Sequence, residues 1–379
     1  MFLFLFIFLL VYGGLNAYVL VKVQAVFRCG IWSTLLIAAF LFLMLLLPLS
    51  LRMLARPALF EVARVVAFAG YLWMVIVLWF FFFGIIIDLA NLAGHTVGVA
   101  GIRPGFRIVP GLAFGINVFA ICVMLGLAAR ENRILRLETV PIFAPRMPPG
   151  IGELRIVQVS DLHYSMYGGQ ECLKLLVDQL HALKPDVVVV TGDLLDVMGD
   201  LAQPLERALS GIRPPYGKFA VLGNHEFYMG AEASVAHLHR SGFKVLREEY
   251  VVLDIGGWPL RIAGVDDPAG RHTGQTPLLE EATVLSDDQE REFTVLLKHQ
   301  PHVEPDSRGR FDLQLSGHTH GGQIFPFHIV VYFSNRYFRG LYPIKEGGQI
   351  YVSRGAGSWG PPLRLLAPRE ITLFVIRGG

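Results

Sequence analysis

Four apolar runs within the first 130 residues constrain this chain more than any other feature. They cover roughly residues 2–21, 31–51, 65–87 and 108–129. Each is close to the ~20 residues that a helix needs to cross the hydrocarbon core of a bilayer. Buried helices of a soluble core seldom run this long without charge, and four in succession would all have to be exceptions. The first run lacks a basic leader and is too long for a cleavable signal peptide, so it is expected to stay as a span. Gly13, Gly14 and Asn16 make it the least regular of the four. The first half therefore reads as a membrane domain of four transmembrane helices, residues 1–130.

Charge divides the chain. Residues 1–150 carry 11 Lys/Arg against 4 Asp/Glu, and the remainder carries 22 against 27. The near-neutral total thus hides a sparse basic half and an ordinary, slightly acidic half. Neither half concentrates the basic face that nucleic-acid binding needs, and no protein partner is implied. The short loops also carry an orientation signal. Arg52, Arg56, Arg64, Arg130, Arg133, Arg136 and Arg146 would share one side of the bilayer, and Lys22, Arg28, Arg103 and Arg107 the other. Positive residues favour the cytoplasm. The expectation is a multi-pass protein of the cell (inner) membrane with its second half cytoplasmic. Asp88 and His95 border the third run and read as residues of a solvated loop. Without charges threading the spans, a channel or carrier is disfavoured. Cys29, Cys122 and Cys172 make no disulfide framework.

Pro141, Pro145, Pro148, Pro149 and Gly150 mark a linker over residues 131–150, in which 135–142 could form an edge strand. Residues 151–379 form a second domain. Apolar runs at 154–160, 186–190 and 219–222 read as buried strands, with helices at 171–183 and 201–209 between them and another at 233–240 leading to Val245 and Leu246. Strands dominate afterwards, at 250–255, 260–265, 294–297, 312–315, 349–353 and 371–376. This is an α/β pattern built on packed sheets. Polar residues follow directly on five of the strands: Asp161 and His163; Asp193 and Asp196; Asn224 and His225; His299; His318 and His320. Ligands in open α/β sheets bind at the carboxyl ends of strands. On a continued strand His318 and His320 would share one face. Carboxylate plus imidazole suits Mn, Fe or Zn better than Mg or Ca, and the lack of thiolates argues against a structural zinc cage. Singly, Asp193 and Asp196 could cap a helix and Asn224 could sit in a turn. His181, His237 and His239 read as exposed helical residues, and His302 as solvated.

In order, Asp161-x-His163, Gly192-Asp193-x-x-Asp196, Gly223-Asn224-His225-Glu226, His299 and Gly317-His318-x-His320 resemble the signature blocks of the calcineurin-like metallophosphoesterases. The match covers about residues 150–325. Together with the N-terminal helices it resembles the membrane-associated bacterial subgroup. The resemblance implies a two-sheet β-sandwich flanked by helices and two divalent metal ions. Asp161, His163 and His320 would hold one metal, and Asn224, His299 and His318 the other, with Asp193 bridging. It implies in-line attack of metal-bound hydroxide on a phosphodiester or related phosphorus ester, with His225 as general acid or as a stabiliser of the developing charge, and Asp196 orienting it. Alternatives are a pyrophosphohydrolase of a UDP-linked acylated sugar or other lipid-linked substrate, and a non-catalytic membrane sensor that keeps the fold.

Residues 325–333, with Tyr337, Phe338 and Tyr342, place aromatics beside Arg336 and Arg339 directly after the histidine pair. Two readings compete for them: a wall facing lipid, and a pair of sandwich strands whose aromatics fill the core. The core-strand reading is the one favoured here.

Overall fold

A computed structural model describes residues 2–54, 60–101, 105–165, 170–275, 281–285 and 292–378. Arg56 and Arg103, two of the orientation residues, lie outside the described residues. The chain divides into two compact units, Met1–Ala128 and Ala129–Gly379.

The first unit is built from α1 (Phe2–Phe27), α2 (Ile31–Leu54), α3 (Phe60–Val99) and α4 (Pro110–Asn132), which leads out of it. All four are long and apolar enough to cross a membrane. Large apolar side chains such as Trp32, Leu36 and Phe119 point outward, as they do where lipid replaces water. Inside, the few polar side chains find partners on neighbouring helices. Trp73 Nε1 donates to Asn16 Oδ1 at 3.0 Å, and Asn117 Nδ2 donates to the Phe80 carbonyl at 2.9 Å. Asp88 corrects the loop expectation. It lies within α3, which runs on to Val99, where it pairs with Lys22 of α1 and accepts from the Tyr18 hydroxyl at 2.8 Å. The ion pair lets the helix continue past the end of the apolar run.

The second unit holds, among the described residues, two six-stranded sheets. The strands are β1 (Leu135–Phe143), β2 (Glu153–Val159), β3 (Val187–Thr191), β4 (Lys218–Val221), β5 (Lys244–Val245), β6 (Glu249–Ile255), β7 (Trp258–Gly264), β8 (Phe293–Leu297), β9 (Leu313–Ser316), β10 (Gly340–Pro343), β11 (Gln349–Val352) and β12 (Arg369–Arg377). The helices are α5 (Gln170–Leu183), α6 (Gln203–Ser210), α7 (Asn224–Met229), α8 (Ala231–Arg240), α9 (Pro268–His272), α10 (Glu281–Val284) and α11 (Phe327–Ser334). The sheet orders are β1-β12-β2-β3-β4-β5 and β10-β11-β9-β8-β7-β6.

The continuous valines of β3 show why the sheets are layered as they are. Val187 and Val189 pack into the core between the sheets, with Ile156, Phe219, Leu260, Ile262, Val295 and Leu315. Val188 and Val190 pack on the other side, with Leu176 and Leu180 of α5, Leu205 of α6 and Leu238 of α8. A strand buried on both faces carries an unbroken apolar run rather than an alternating one. β2 through β5 pair in parallel, as do β7, β8, β9 and β11. Their carboxyl ends carry the five polar clusters.

Residues 327–334 overturn the core-strand expectation. They form α11, none of whose residues is buried. β-branched and aromatic residues favour strands only where a pleated, half-buried surface receives them. Among the described residues no sheet edge receives these.

Candidate metal centre

Loop backbones at the strand ends aim the polar side chains inward. Asp161, His163, Asp193, His318 and His320 all have left-handed backbones, with φ of 49°, 46°, 52°, 70° and 51°. Each such non-glycine residue costs on the order of 1–3 kcal/mol, held in place by the surrounding structure. The Asp161 amide donates to the Gly192 carbonyl at 3.1 Å, and the His163 amide to the Asp193 carbonyl at 3.0 Å. These bonds tie the loop after β2 to the loop after β3. His318 and His320 lie beyond β9, so strand alternation is not what places them. The loop turns at Gly317, where a Cβ would come within 2.0 Å of Ser160 Oγ and 2.1 Å of Asp161 Oδ2. Only glycine lets the histidine loop approach Asp161 this closely.

Two groups of side chains converge. In the first, His163 Nε2 and His320 Nε2 stand 3.0 Å apart, and His320 Nε2 is 3.4 Å from Asp161 Oδ1. In the second, Asn224 Oδ1 is 3.2 Å from His299 Nε2 and 3.1 Å from His318 Nδ1. Asp193 Oδ2 reaches both, 3.2 Å from His299 Nε2 and 3.7 Å from His163 Nε2. Three overlapping sets have ligand atoms close enough to share an ion: Asp161/His163/His320, His163/Asp193/His225 and Asp161/Asp193/His299. The donor chemistry fits cations. His299 Nδ1 donates to the Thr191 carbonyl at 2.8 Å, which leaves Nε2 with its lone pair. That lone pair faces the oxygens of Asn224 and Asp193. Acceptors facing one another at this distance repel unless a cation or a proton stands between them.

In the metal-free site protons take that place. Burial alone would lower the His163 pKa, but the carboxylates of Asp196, Asp193 and Asp161 outweigh it and push it up to about 9. His299 is likewise raised against burial, by Asp193. Asp193 goes the other way: burial would raise it, yet His299 and His163 hold it well below the ordinary carboxylate range. His320 and His318 are lowered, first by burial and then by the cationic neighbours His163 and His299.

A pH dependence follows. Above pH 6.5 a free histidine is neutral in the unfolded chain, while His163 still holds its proton in the metal-free folded unit up to about 9. The folded state then binds more protons, so its stability falls as pH rises through this window, by about 1.4 kcal/mol per pH unit for each such proton. Metals displace those protons and bind more tightly as pH rises. Melting of chelator-treated and Mn²⁺-loaded protein between these pH values should therefore diverge. A metal-induced shift that shrinks with rising pH would contradict the assignment.

His225 sits in the first turn of α7, at the rim. Its amide donates to Asp193 Oδ1 at 2.9 Å, and its Nδ1 lies 2.7 Å from Asp196 Oδ1. Its side chain is 22% exposed, against 1% for His163. Tyr228 and Trp359 flank the ring, at 5.9 and 6.4 Å between centroids. Burial would lower the His225 pKa, but Asp196 and Asp193 raise it. Asp196 also lies 3.1 Å from His163 Nδ1. One carboxylate thus orients both a buried ring and a rim ring.

Two residues were not singled out from the sequence. Glu226 is buried and accepts from the amides of Asp193, Leu194, Leu195 and Gly223 at 2.8–3.1 Å. It holds the loop after β3 against α7. Its position in the first turn of a helix was the available signal. Arg364 is fully buried, and its Nη2 donates to His320 Nδ1 at 3.1 Å. It lies in an irregular segment without motif or periodicity. His237 corrects the expectation of exposure: it is buried and paired with Glu206. His302 is 68% exposed and its Nε2 is 3.6 Å from Glu304.

Comparison with known proteins shows what the chain resembles. The family profile described as calcineurin-like phosphoesterase matches residues 154–322. An uncharacterized metallophosphoesterase of Aquifex aeolicus is 37% identical over 263 residues, spanning 68% of this chain and 98% of that protein. One from Campylobacter jejuni is 34% identical over 276 residues, 72% of each chain. A Bos taurus protein described as a transmembrane protein with metallophosphoesterase domain is 33% identical over 303 residues, 76% of this chain and 67% of that one.

Proposed function

The chain belongs to the calcineurin-like phosphoesterase family, and from that premise we propose that it is a membrane-anchored, two-metal hydrolase of phosphodiesters. The observation that carries this reading is Asp193 Oδ2 standing between two groups of converging ligand atoms. In this assignment Asp161, His163 and His320 would hold one divalent ion, and Asn224, His299 and His318 the other, with Asp193 available to both. Mn, Fe and Zn suit the mixed imidazole and carboxylate donors. When bound, two such ions supply positive charge to the phosphoryl oxygens and acidify a water.

The side chains supply the rest. His225 is open to solvent and raised in pKa, so it can deliver a proton to a departing alkoxide. Asp196 Oδ1 holds His225 Nδ1, leaving Nε2 to face the leaving group. Glu226 keeps the Asp193 loop from relaxing.

The excess of Lys/Arg on one side of the spans supports a place in the cell membrane with the catalytic unit cytoplasmic. A lipid-linked phosphorus ester is a second reading. It is supported by the exposed helix α11, which packs His328 against Gly322 next to His320.

The test uses the whole chain in detergent, with bis-p-nitrophenyl phosphate and p-nitrophenyl phosphate as substrates. Turnover of the diester should vanish on chelation and return with Mn²⁺. Protein loaded with two equivalents of metal yet inert towards both esters would sink the hydrolase reading and favour a sensor.

A further inference from the structure

Beyond the metal ligands, residues 300–308 and the chain following α11 enclose a cavity of about 330 Å³. Among the described residues Gln300, His302, Arg308, Asn335, Arg336 and Tyr337 line it and no Asp or Glu does, although Glu304 lies 3.6 Å from the lining His302 Nε2. Arg308 meets the exposed Glu346 at 3.2 Å. Arg336 has no carboxylate partner among the described residues, and its guanidinium lies over the Tyr337 ring at 5.6 Å. Two guanidiniums thus line the cavity, one without a carboxylate partner among the described residues and the other tied only at the surface.

α11 forms one boundary of this cavity through Ser334 and carries an apolar surface away from it. Phe327, Ile329, Val330, Tyr332 and Phe333 are all exposed, Phe333 to 81%. Burying large apolar side chains is favourable, so five left in water on an eight-residue helix call for a cover. A polar site flanked by cations with an apolar helix beside it is the composition of a membrane-interface element. The chain carries four helices long and apolar enough to cross a bilayer, and a chain so inserted would keep such a surface in effect highly concentrated at lipid.

We propose that this cavity is a headgroup site for an anionic phospholipid of the bilayer, and that α11 enters the interface beside it. Arg336 and Arg308 receive the phosphate, for which guanidinium is a bidentate partner. Phe333, Val330 and Ile329 sit among the acyl chains. The site makes no use of the metals, so it stands apart from which ester is hydrolysed. A second copy of the chain is the competing occupant. Arg339, exposed next to Phe338 with its guanidinium 5.2 Å from that ring, adds to the positive charge that such a pairing would have to bring together.

The test places a bimane label on Phe333→Cys, with Cys29 and Cys122 replaced by serine and the buried Cys172 retained. Whole protein is reconstituted in nanodiscs of brominated phosphatidylcholine with increasing phosphatidylglycerol. Tyr250→Cys, at an exposed site on β6, serves as the control. Quenching at 333 should exceed that at 250 and grow with the anionic lipid. Arg308→Glu and Arg336→Glu should each raise the phosphatidylglycerol fraction needed for half-maximal quenching about fivefold. Unchanged metal content shows that each variant is folded. Quenching no greater than at 250, quenching indifferent to phosphatidylglycerol and to both reversals, or label contacts that track protein rather than lipid concentration would each overturn the proposal. So would displacement by soluble glycerol 3-phosphate, which would give the cavity to a free phosphate.

Discussion

Asp193→Asn is expected to leave a folded protein that retains fewer than two metal equivalents and shows no measurable diester turnover. Asp193 Oδ2 lies 3.2 Å from His299 Nε2 and 3.7 Å from His163 Nε2, within reach of both ligand groups. An amide oxygen there can still accept from the His225 amide, which Asp193 Oδ1 does at 2.9 Å, so the first turn of α7 keeps its anchor. What is lost is the negative charge that attracts both cations. The same loss removes the main source of raised proton affinity at His299 and part of it at His163. The variant should therefore melt with a weaker pH dependence between neutrality and pH 9 than the metal-free wild type. Elemental analysis after dialysis checks the first point and melting curves the second. Two equivalents of tightly held metal in the variant would remove Asp193 from its bridging place.

His225→Ala should separate chemistry from metal binding. The side chain is at the rim and contacts Asp196, so both metals should stay. The rate should fall by about 10²–10⁴, the usual worth of a positioned general acid. The loss should depend on the leaving group. A nitrophenolate departs without a proton and should suffer least, whereas an alkyl alkoxide needs one and should suffer most. A uniform loss across leaving groups, or loss of metal, would assign His225 a structural or ligand role. Asp196 is a poorer probe, because it also lies 3.1 Å from His163 Nδ1. Its replacement would disturb both rings at once.

Much of this could be read from sequence because both halves use strong periodic signals. Membrane spans announce themselves by length and absence of charge. Strands buried on both faces read as unbroken Val and Ile runs, and in a parallel sheet the residues just past each run gather at one edge. That is why residues as far apart as Asp161 and His320 could be grouped at all. Misreadings arose where a local signal was settled by a distant partner. Asp88 belongs to a helix because Lys22 and Tyr18 receive it. His237 is buried because Glu206 is there. Residues 327–334 have strand-like composition, yet among the described residues no sheet receives them and they form a helix. Arg364 reaches His320 from an irregular segment, and irregular segments carry no periodicity to read.

The position of β12 has a consequence for biogenesis. β12 follows every other strand in the chain, yet it lies between β1 and β2. All nine residues of β1 pair with it, and β1 begins three residues after α4 ends. While the chain is being synthesised, β1 therefore follows α4 with no strand beside it. The first sheet keeps an open slot bordered by two unpaired edges until residue 377 has emerged. Unpaired edges are the usual seeds of misassembly in nascent chains. The second unit should thus mature only after the four apolar helices are complete, and its assembly should depend on holdase chaperones more than its modest size suggests.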